Sequence, residues 1–460
     1  MESVLGGMSM KNDMGQGSIP KLLASLAIPA VIAQIVNLLY NIVDRIYIGH
    51  IPGIGGAALT GVGLFTPLLM LVNAFAMLAG AGGAPRAAIY MGAKENDKAQ
   101  KVVGNCFCLL LILAVILTVV MFVFAPQLLV LFGASEVTLP YALTYSRIYI
   151  IGTIAVLIVM GMNPFITTQG FSKIAMLTTV IGALINIILD PIFIFVLNMG
   201  VAGAALATIL SQSVGAIWIL RFLTGKQTIL KIKKENIRLE KEYILPCVSL
   251  GISSFVMLST ESLLSIAFTS SLSKYGGDVA VGSMTIITSV SQLLTMPVQG
   301  ICQGGQPIMS YNFGARKNER VKKAFFLQFK TCVGYAALFW LAMICIPQVF
   351  AGIFTSDQNL TTYTSWALRI YMAGIFSTGF QIACQQGFMA LGQAKISLLL
   401  ACLRKIILLI PLILILPHFI SNQVFAVFLA EPVSDILAAS ITTLLFFTRF
   451  DHILKAGPTR

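Results

Sequence analysis

Charged residues are scarce in this sequence: only 10% of its 460 residues are Asp, Glu, Lys or Arg, against about 25% in soluble domains. A chain with so few charges cannot cover a water-exposed surface. Hydrophobic residues make up 57% of the chain, and apolar runs of roughly 20 residues, enough to cross a bilayer, recur along its whole length. The composition excludes a soluble protein and predicts an all-α polytopic membrane protein.

Residues that usually carry enzyme chemistry are also few. The three histidines lie near predicted span ends, and the eight cysteines are scattered without a C-x-x-C pair. This spacing supports neither a metal site nor a disulfide framework, so the cysteines are interpreted as small apolar filler. Because no nucleophile has a visible base, we expect neither an enzyme nor a bound cofactor.

A cleavable signal peptide is missing from the sequence pattern. The first twenty residues, MESVLGGMSMKNDMGQGSIP, lack the apolar core that such signals need. We therefore expect the first membrane span to serve as the insertion signal and to be retained.

Twelve membrane spans are predicted, six in each half of the chain. Their boundaries are 22–49, 57–84, 102–126, 140–168, 174–197, 201–222, 244–272, 278–306, 324–350, 361–390, 396–417 and 422–449. The predicted domains are a cytoplasmic N-terminal tail (1–21), an N-lobe (22–222), a cytoplasmic linker (223–243), a C-lobe (244–449) and a cytoplasmic C-terminal tail (450–460).

The net charge of +13 is explained by membrane topology. With the N-terminus in the cytoplasm, cytoplasmic segments and span ends hold 26 of the 30 basic residues, Arg404 and Lys405 included. This is a strong positive-inside bias. The longest polar segment, RFLTGKQTILKIKKENIRLEKE (221–242), is interpreted as a solvated cytoplasmic linker. Nucleic acid is therefore not expected as a partner.

The two halves of the chain resemble each other. GGAPRAAIYMGAKENDKAQK (82–101) aligns with GGQPIMSYNFGARKNERVKK (304–323) at a constant shift of 222 residues, and the same shift pairs Arg147 with Arg369. Internal duplication of this kind is typical of transporters. Because each half has an even number of spans, we expect the pseudo-symmetry axis along the membrane normal and the substrate site between the lobes.

Five acidic residues inside the predicted spans are not preserved by the duplication. At the shift of 222, for example, Asp190 meets Leu412. A carboxylate in hydrocarbon is energetically costly or gives up its charge, so each is a candidate functional residue. The five are Asp44, Asp190, Glu261, Glu431 and Asp435.

Four polar side chains of the N-lobe are expected to converge in the outer half of the membrane: Asp44, Asn186, Asp190 and Thr208. Asn186 and Asp190, four residues apart, share one helix face. Two carboxylates, an amide oxygen and a hydroxyl suit a hard cation. The carboxyl groups could instead share a proton, because burial and a like-charged neighbour favour the protonated form. A hydrogen-bonded structural cluster is the third interpretation. Pro191 allows the helix to kink and to free a carbonyl group.

The remaining acids lie in the C-lobe. Glu261, in the seventh span, is expected to face the cavity between the lobes, where its charge would favour cationic substrates. Glu431 and Asp435, four apart on the last span, could line that cavity or hydrogen-bond internally. Three polar residues of the first span are also predicted to contact substrate: Gln34, Asn37 and Tyr40.

Four stretches resemble the MATE family of multidrug and toxic compound extrusion transporters, in particular its MepA-like bacterial branch. The resemblance covers essentially the whole chain, and the motifs are more specific together than singly. They are NIVDRIYIG (41–49), PRAAIYMGAKENDKA (85–99), INIILDPIFIF (185–195) with GVAGAALAT (200–208), and TES (260–262).

The resemblance implies a monomer of two six-helix lobes that exports amphipathic organic cations and drugs by alternating access. It also implies a multi-pass protein of the bacterial cytoplasmic (inner) membrane, surrounded by lipids and driven by a Na⁺ or H⁺ gradient. The family's cation or proton site, a Na⁺ site in Na⁺-coupled members, falls on the four N-lobe residues, and its seventh-span acid falls on Glu261. Some members carry a further acid in the tenth span, whereas residues 361–390 contain none. Coupling through the first lobe is therefore favoured.

A flippase and a passive channel are the two other membrane functions that this composition allows. A lipid-linked oligosaccharide or lipid flippase of related architecture often carries several basic residues in its central cavity to hold pyrophosphate. Here acids outnumber bases inside the predicted membrane region, which disfavours a flippase. A passive channel would not need the ion- or proton-binding cluster.

Overall fold

The computed structural model describes residues 13–354 and 357–458, apart from the side chain of Asp278. The described residues form two compact units. The N-unit is built on Ile32–Phe255, and the C-unit on Gly15–Val31 together with the chain from Val256 onward. The start of the first helix therefore belongs to the C-unit.

The first six spans are helices joined by short turns. They are Ile19–Gly49, Gly55–Gly92, Asn96–Leu131, the pair Leu139–Ile151 and Thr153–Thr168, Ser172–Pro191, and Val201–Thr224. The paired helices of the fourth span are bent by 58°. A short π-helix, Ile192–Val196, continues the fifth span.

The last six spans follow the same order. They are Lys241–Gly277, Val279–Gly314, Asn318–Cys345 with the short helix Pro347–Gly352, the pair Gln358–Tyr371 and Phe376–Ala390, Ala394–His418, and Gln423–Ala456. Gly277, with φ of +66°, separates the seventh span from the eighth; this left-handed conformation is one that glycine adopts readily.

The number of spans fits the predicted architecture. Within the described residues, ten helices are long and apolar enough to cross a membrane, and the bent fourth-span pair makes eleven. The helices Gln358–Tyr371 and Phe376–Ala390, of 14 and 15 residues, lie where the tenth span is predicted. The prediction of an all-α polytopic membrane protein is confirmed.

The fourth and tenth spans are interrupted at glycines that the 222-residue shift relates. Gly152 separates Leu139–Ile151 from Thr153–Thr168, and Gly374 ends the 3₁₀ turn of the tenth span. A Cβ atom at Gly152 would lie 2.6 Å from Ile209 Cγ1, and one at Gly374 would lie 2.8 Å from Pro432 Cα. Each interruption therefore packs closely against the last span of its own half.

The helix surfaces show that the solvent around the protein is apolar. On Asn96–Leu131, Val115, Val119 and Val123 recur every four residues and are 64%, 57% and 58% exposed. Residues four apart share one face of a helix. An exposed face built from such residues suits lipid rather than water.

Part of the predicted linker packs against the rest of the N-unit. Gln169 Oε1 accepts hydrogen bonds from Thr228 Oγ1 and from the backbone N–H groups of Ile229 and Leu230, at 2.8, 2.8 and 3.0 Å. Leu230 is fully buried. The interpretation of 221–242 as a solvated segment is therefore wrong for this stretch.

Candidate functional site

The fifth span changes its helix type beside Asp190. The α-helix Ser172–Pro191 is followed by π-helical residues Ile192–Val196. Pro191 has no N–H group and cannot donate to the carbonyl group four residues earlier. In the turn that follows, the N–H of Leu197 donates to Ile192 O, five residues back, at 2.8 Å, which is the hydrogen-bond spacing of a π-helix. Single π-helical turns occur frequently at functional sites.

Three of the four predicted N-lobe residues form a buried hydrogen-bond network. Asn186 Nδ2 donates to Asp190 Oδ1 at 3.3 Å and to Thr208 Oγ1 at 3.4 Å. Thr208 Oγ1 donates to Ala204 O at 3.0 Å. Asn186 and Asp190 have no exposed surface, and Thr208 is 6% exposed. The network joins the fifth span to the sixth.

Asp44 reaches this network from the first span. Its side chain is half-buried, and its carboxyl group is close enough to the Asp190 carboxyl group for the two to interact electrostatically. Two carboxyl groups at this separation repel each other when both are ionised. The site therefore favours an added positive charge, whether a cation or a proton.

The donors and acceptors of the site do not balance. Both N–H groups of the Asn186 amide and the Thr208 hydroxyl proton are already used. At this site, three buried oxygens have no hydrogen-bond partner among the described residues: Asp44 Oδ1, Asn186 Oδ1 and Asp190 Oδ2. An unmet buried acceptor costs about 1–3 kcal/mol. A coordinated Na⁺, or a proton on one carboxyl group, would reduce this cost.

The three first-span residues predicted to contact substrate lie in different surroundings from one another. Tyr40, one turn before Asp44, lies close enough to Asp44 and Asp190 to interact with both carboxyl groups. Gln34 and Asn37 are half-buried on earlier turns of the same helix. The structure therefore places Tyr40 beside the Asp44 and Asp190 carboxyl groups.

Tyr145 is a member of the cluster that the sequence analysis missed. Its hydroxyl group lies near the Thr208 hydroxyl and the Asp44 carboxyl group, and its ring packs on Phe65 with centroids 5.8 Å apart. One sequence signal could have found it. At the 222-residue shift Tyr145 meets Ala367, so it is unrepeated, as Asp190 is.

The C-unit contains two basic residues that the sequence analysis placed wrongly. Arg404 and Lys405 do not lie at a cytoplasmic span end. They belong to the π-helical segment Leu403–Leu409 inside the eleventh span, and Lys405 is 4% exposed. About 10 residues separate them from the start of that span, or roughly 15 Å, which is half of a bilayer core. The number of basic residues predicted on the cytoplasmic side therefore falls by two, from 26 to 24.

Arg404 pairs with the two acids of the last span. Its Nε donates to Asp435 Oδ1 at 2.7 Å, and its Nη2 donates to Glu431 Oε1 at 3.1 Å. Ser434 Oγ donates to the backbone carbonyl of Arg404 at 2.9 Å. Of the two interpretations of Glu431 and Asp435, the structure has the internal hydrogen bonding.

Lys405 pairs with Glu261. Its ammonium group binds Glu261 Oε1 and donates to Met257 O at 3.0 Å. The seventh-span acid is therefore neutralised by a buried cation rather than left as a free negative charge. This partner was not predicted, because a lysine near the start of an apolar run was interpreted as a span end.

Comparison with known proteins gives a family match over most of the chain. The MatE family model matches residues 29–192 and again 253–415. The second match begins 253 − 29 = 224 residues after the first, which agrees with the internal duplication.

Named relatives match over nearly their full length. Multidrug export protein MepA of Staphylococcus haemolyticus is 24% identical over 428 residues, 93% of this chain and 94% of the relative. The protein of the same name from Staphylococcus aureus strain N315 is 23% identical, over 92% of this chain and 94% of its own length.

Solved structures share the fold. A crystal structure of MATE in complex with MaD3S superposes with a TM-score of 0.90 at 25% identity, covering 97% of this chain and 100% of that one. An outward-facing multidrug resistance MATE family transporter of the MOP superfamily gives 0.89 at 25% identity, with 97% and 99% coverage.

Proposed function

The chain belongs to the MatE family of multidrug efflux transporters, and from this premise we propose that it exports amphipathic organic cations in exchange for Na⁺ or H⁺ by alternating access. Members of this family are transporters rather than enzymes. The relatives named multidrug export protein support drug-like small molecules as substrates. We place the protein as a multi-pass monomer in a bacterial cytoplasmic membrane, with lobes at 22–222 and 244–449.

The coupling ion, in this proposal, binds at Asp44, Asn186, Asp190 and Thr208. The observation that carries the proposal is the set of three buried oxygens without donors on Asp44, Asn186 and Asp190. Carboxylate, amide and hydroxyl oxygens are ligands for a hard cation, and the carboxyl pair can alternatively hold a proton. Na⁺ or H⁺ is thus the transported counter-substrate and not a resident cofactor.

Ion binding drives export only if the ion has different affinities for the two transport conformations. The fifth span offers an element that can change, because Pro191 and the π-helical residues Ile192–Val196 follow Asp190 directly. An empty site with two ionised carboxyl groups is costly in a low-dielectric environment. We propose that occupation of the site changes the conformation of this segment.

A flippase for pyrophosphate-linked lipids is the alternative function. The partly buried Arg404 and the buried Lys405, both inside the eleventh span, are the observation in its favour. However, Arg404 is held by Glu431 and Asp435, and Lys405 by Glu261. In this C-unit group three acids therefore pair with two bases, so the group has no surplus positive charge to bind a pyrophosphate. Cation export remains the favoured function.

The test is transport by the purified chain in liposomes under two imposed gradients. A Na⁺ gradient is set at equal pH, then a pH gradient at equal Na⁺, with the membrane potential clamped. Movement of tetraphenylphosphonium, a permanently charged organic cation, is measured. We expect uphill movement in the wild type under at least one gradient. Asp190→Asn and Asp44→Asn should each abolish it.

A matched control uses the same substitution outside the site. Asp451 has a side chain that is 66% exposed and pairs with Lys322 at 2.8 Å. Asp451→Asn should leave gradient-driven transport unchanged, because exposed ion pairs contribute at most about 1 kcal/mol. Near-normal coupled export by folded Asp190→Asn would show that the cluster is structural and that coupling lies elsewhere.

A further inference from the structure

The Glu261–Lys405 ion pair is unevenly exposed. The Glu261 side chain is 44% exposed, whereas the Lys405 side chain is 5% exposed. An incoming molecule can therefore reach the carboxylate while the ammonium group remains behind it. A second cation can therefore approach Glu261 from its exposed side and compete with Lys405 for the carboxylate.

Lys405 has other acceptors to hold it if it leaves Glu261. The Met257 carbonyl already accepts from its ammonium group at 3.0 Å. Glu431 also lies within electrostatic range of Lys405, and Glu431 Oε2 is buried without a hydrogen-bond partner in the described chain. Displacement would therefore exchange one carboxylate partner for another instead of leaving a buried charge unpaired, which would be costly.

The neighbouring guanidinium group cannot replace Lys405 on Glu261 without loss. Arg404 already donates to both Glu431 and Asp435, and guanidinium groups hold carboxylates with directional hydrogen bonds. Arg404 and Lys405 thus bind different acidic residues. Lys405 is the one that binds the exposed acid.

We propose that Lys405 is a tethered counter-cation that occupies Glu261 when no substrate is bound, and that a cationic substrate reaches Glu261 only by displacing Lys405 toward Glu431. The inference rests on the proposed export of organic cations. It makes Lys405 a specificity-determining residue, because every cationic substrate must compete with its ammonium group.

Substitutions at Lys405 should move substrate affinity in opposite directions. Lys405→Met removes the competing charge at similar side-chain length. Lys405→Arg supplies a guanidinium group that can bind Glu261 through two hydrogen bonds. We expect the Kd of the purified full chain for tetraphenylphosphonium to fall about tenfold in K405M, equivalent to about 1.4 kcal/mol, and to rise several-fold in K405R.

A double-mutant cycle tests whether Lys405 acts through Glu261. Glu261→Gln should weaken tetraphenylphosphonium binding, and adding Lys405→Met in that background should change the Kd no further. Lys395→Met is the matched control, since Lys395 is exposed near the start of the same span; it should leave the Kd unchanged. Thermal unfolding of each variant checks that it folds. If K405M alone unfolds, the E261Q/K405M double variant replaces it, because that variant removes both charges of the pair and leaves neither unpaired.

Two results would overturn the inference. One is a K405M protein, folded, whose Kd is unchanged or higher. The other is the same decrease in Kd with and without Glu261, which would separate Lys405 from that carboxylate. A wild type that transports no organic cation under either gradient would instead overturn the proposed function.

Discussion

Asn186 Nδ2 lies 3.3 Å from Asp190 Oδ1, and this hydrogen bond fixes which end of the amide faces the carboxylate. The second amide hydrogen is directed to Thr208 Oγ1 at 3.4 Å. The amide oxygen of Asn186 is therefore left as a buried acceptor with no hydrogen-bond donor among the described residues. In the proposed ion site, Asn186 would therefore both orient one carboxylate and supply a neutral oxygen ligand.

Asn186→Leu should impair ion coupling and also lower stability. The leucine side chain is similar in size but removes one oxygen ligand and both donors. Asp190 Oδ1 then loses the donor that it has in the wild type, at a cost of about 1–3 kcal/mol. We expect the concentration of coupling ion that gives half-maximal export to rise at least tenfold, measured in liposomes over a series of Na⁺ concentrations or pH values.

Asn41→Leu is the control for this substitution. Asn41 is exposed on the first helix, and its Nδ2 bonds only locally to Asn37 O, at 2.6 Å. The half-maximal ion concentration should not change in this variant. If Asn186→Leu behaves like Asn41→Leu, Asn186 is not a ligand of the coupling ion.

Tyr145→Phe tests the cluster member that the sequence analysis missed. Only a hydroxyl group near Thr208 and Asp44 is removed, and the ring keeps its packing on Phe65 and Tyr149. A single hydrogen bond contributes about 0.5–1.5 kcal/mol, so ion affinity should fall up to about tenfold with little change in thermal stability. Ion titrations of transport measure the effect.

Tyr141→Phe provides the comparison, because Tyr141 lies one turn earlier on the same helix. This variant should keep wild-type ion affinity. Equal ion dependence in both variants would remove Tyr145 from the site.

The sequence predicted the features that depend on local periodicity and on repetition. Asn186 and Asp190 are four residues apart, so their shared face followed from helix geometry alone. The pairing of Lys405 with Glu261 depends on contact between residues 405 − 261 = 144 positions apart. Hydropathy assigns a depth to each residue of a span but no partner on another helix.

Membrane orientation remains a prediction that labelling can check. Pro52, in the turn after the first span, is exposed, and so is Glu235 in the linker. In a background where the exposed Cys345 is replaced by Ser, a cysteine at position 52 should react with a membrane-impermeant maleimide added to intact cells. A cysteine at position 235 should react only after the cells are opened. The reverse pattern would contradict a cytoplasmic N-terminus.

The glycines that interrupt the fourth and tenth spans should differ in their tolerance of a methyl group. At Gly374 the added Cβ would meet Pro432 Cα and Pro432 O at 2.8 and 2.9 Å, and this backbone cannot move alone. At Gly152 the nearest atoms are the Cγ1 and Cγ2 atoms of Ile209, at 2.6 and 2.7 Å, and this half-exposed side chain can shift toward its open side more easily than a buried backbone segment can. We expect Gly374→Ala to cost about 1–3 kcal/mol, as overpacking does, and Gly152→Ala to cost less.

Thermal unfolding in detergent measures this difference, with Gly334→Ala as the control. Gly334 lies inside the helix Asn318–Cys345, and a Cβ there would meet no atom within 4 Å. Because alanine favours a helix over glycine by roughly 0.5–1 kcal/mol, the control should be neutral or slightly more stable. A Gly374→Ala protein as stable as that control would mean that the tenth span can move away from Pro432. Gly374 would then be dispensable for the close packing of the tenth span against the last span.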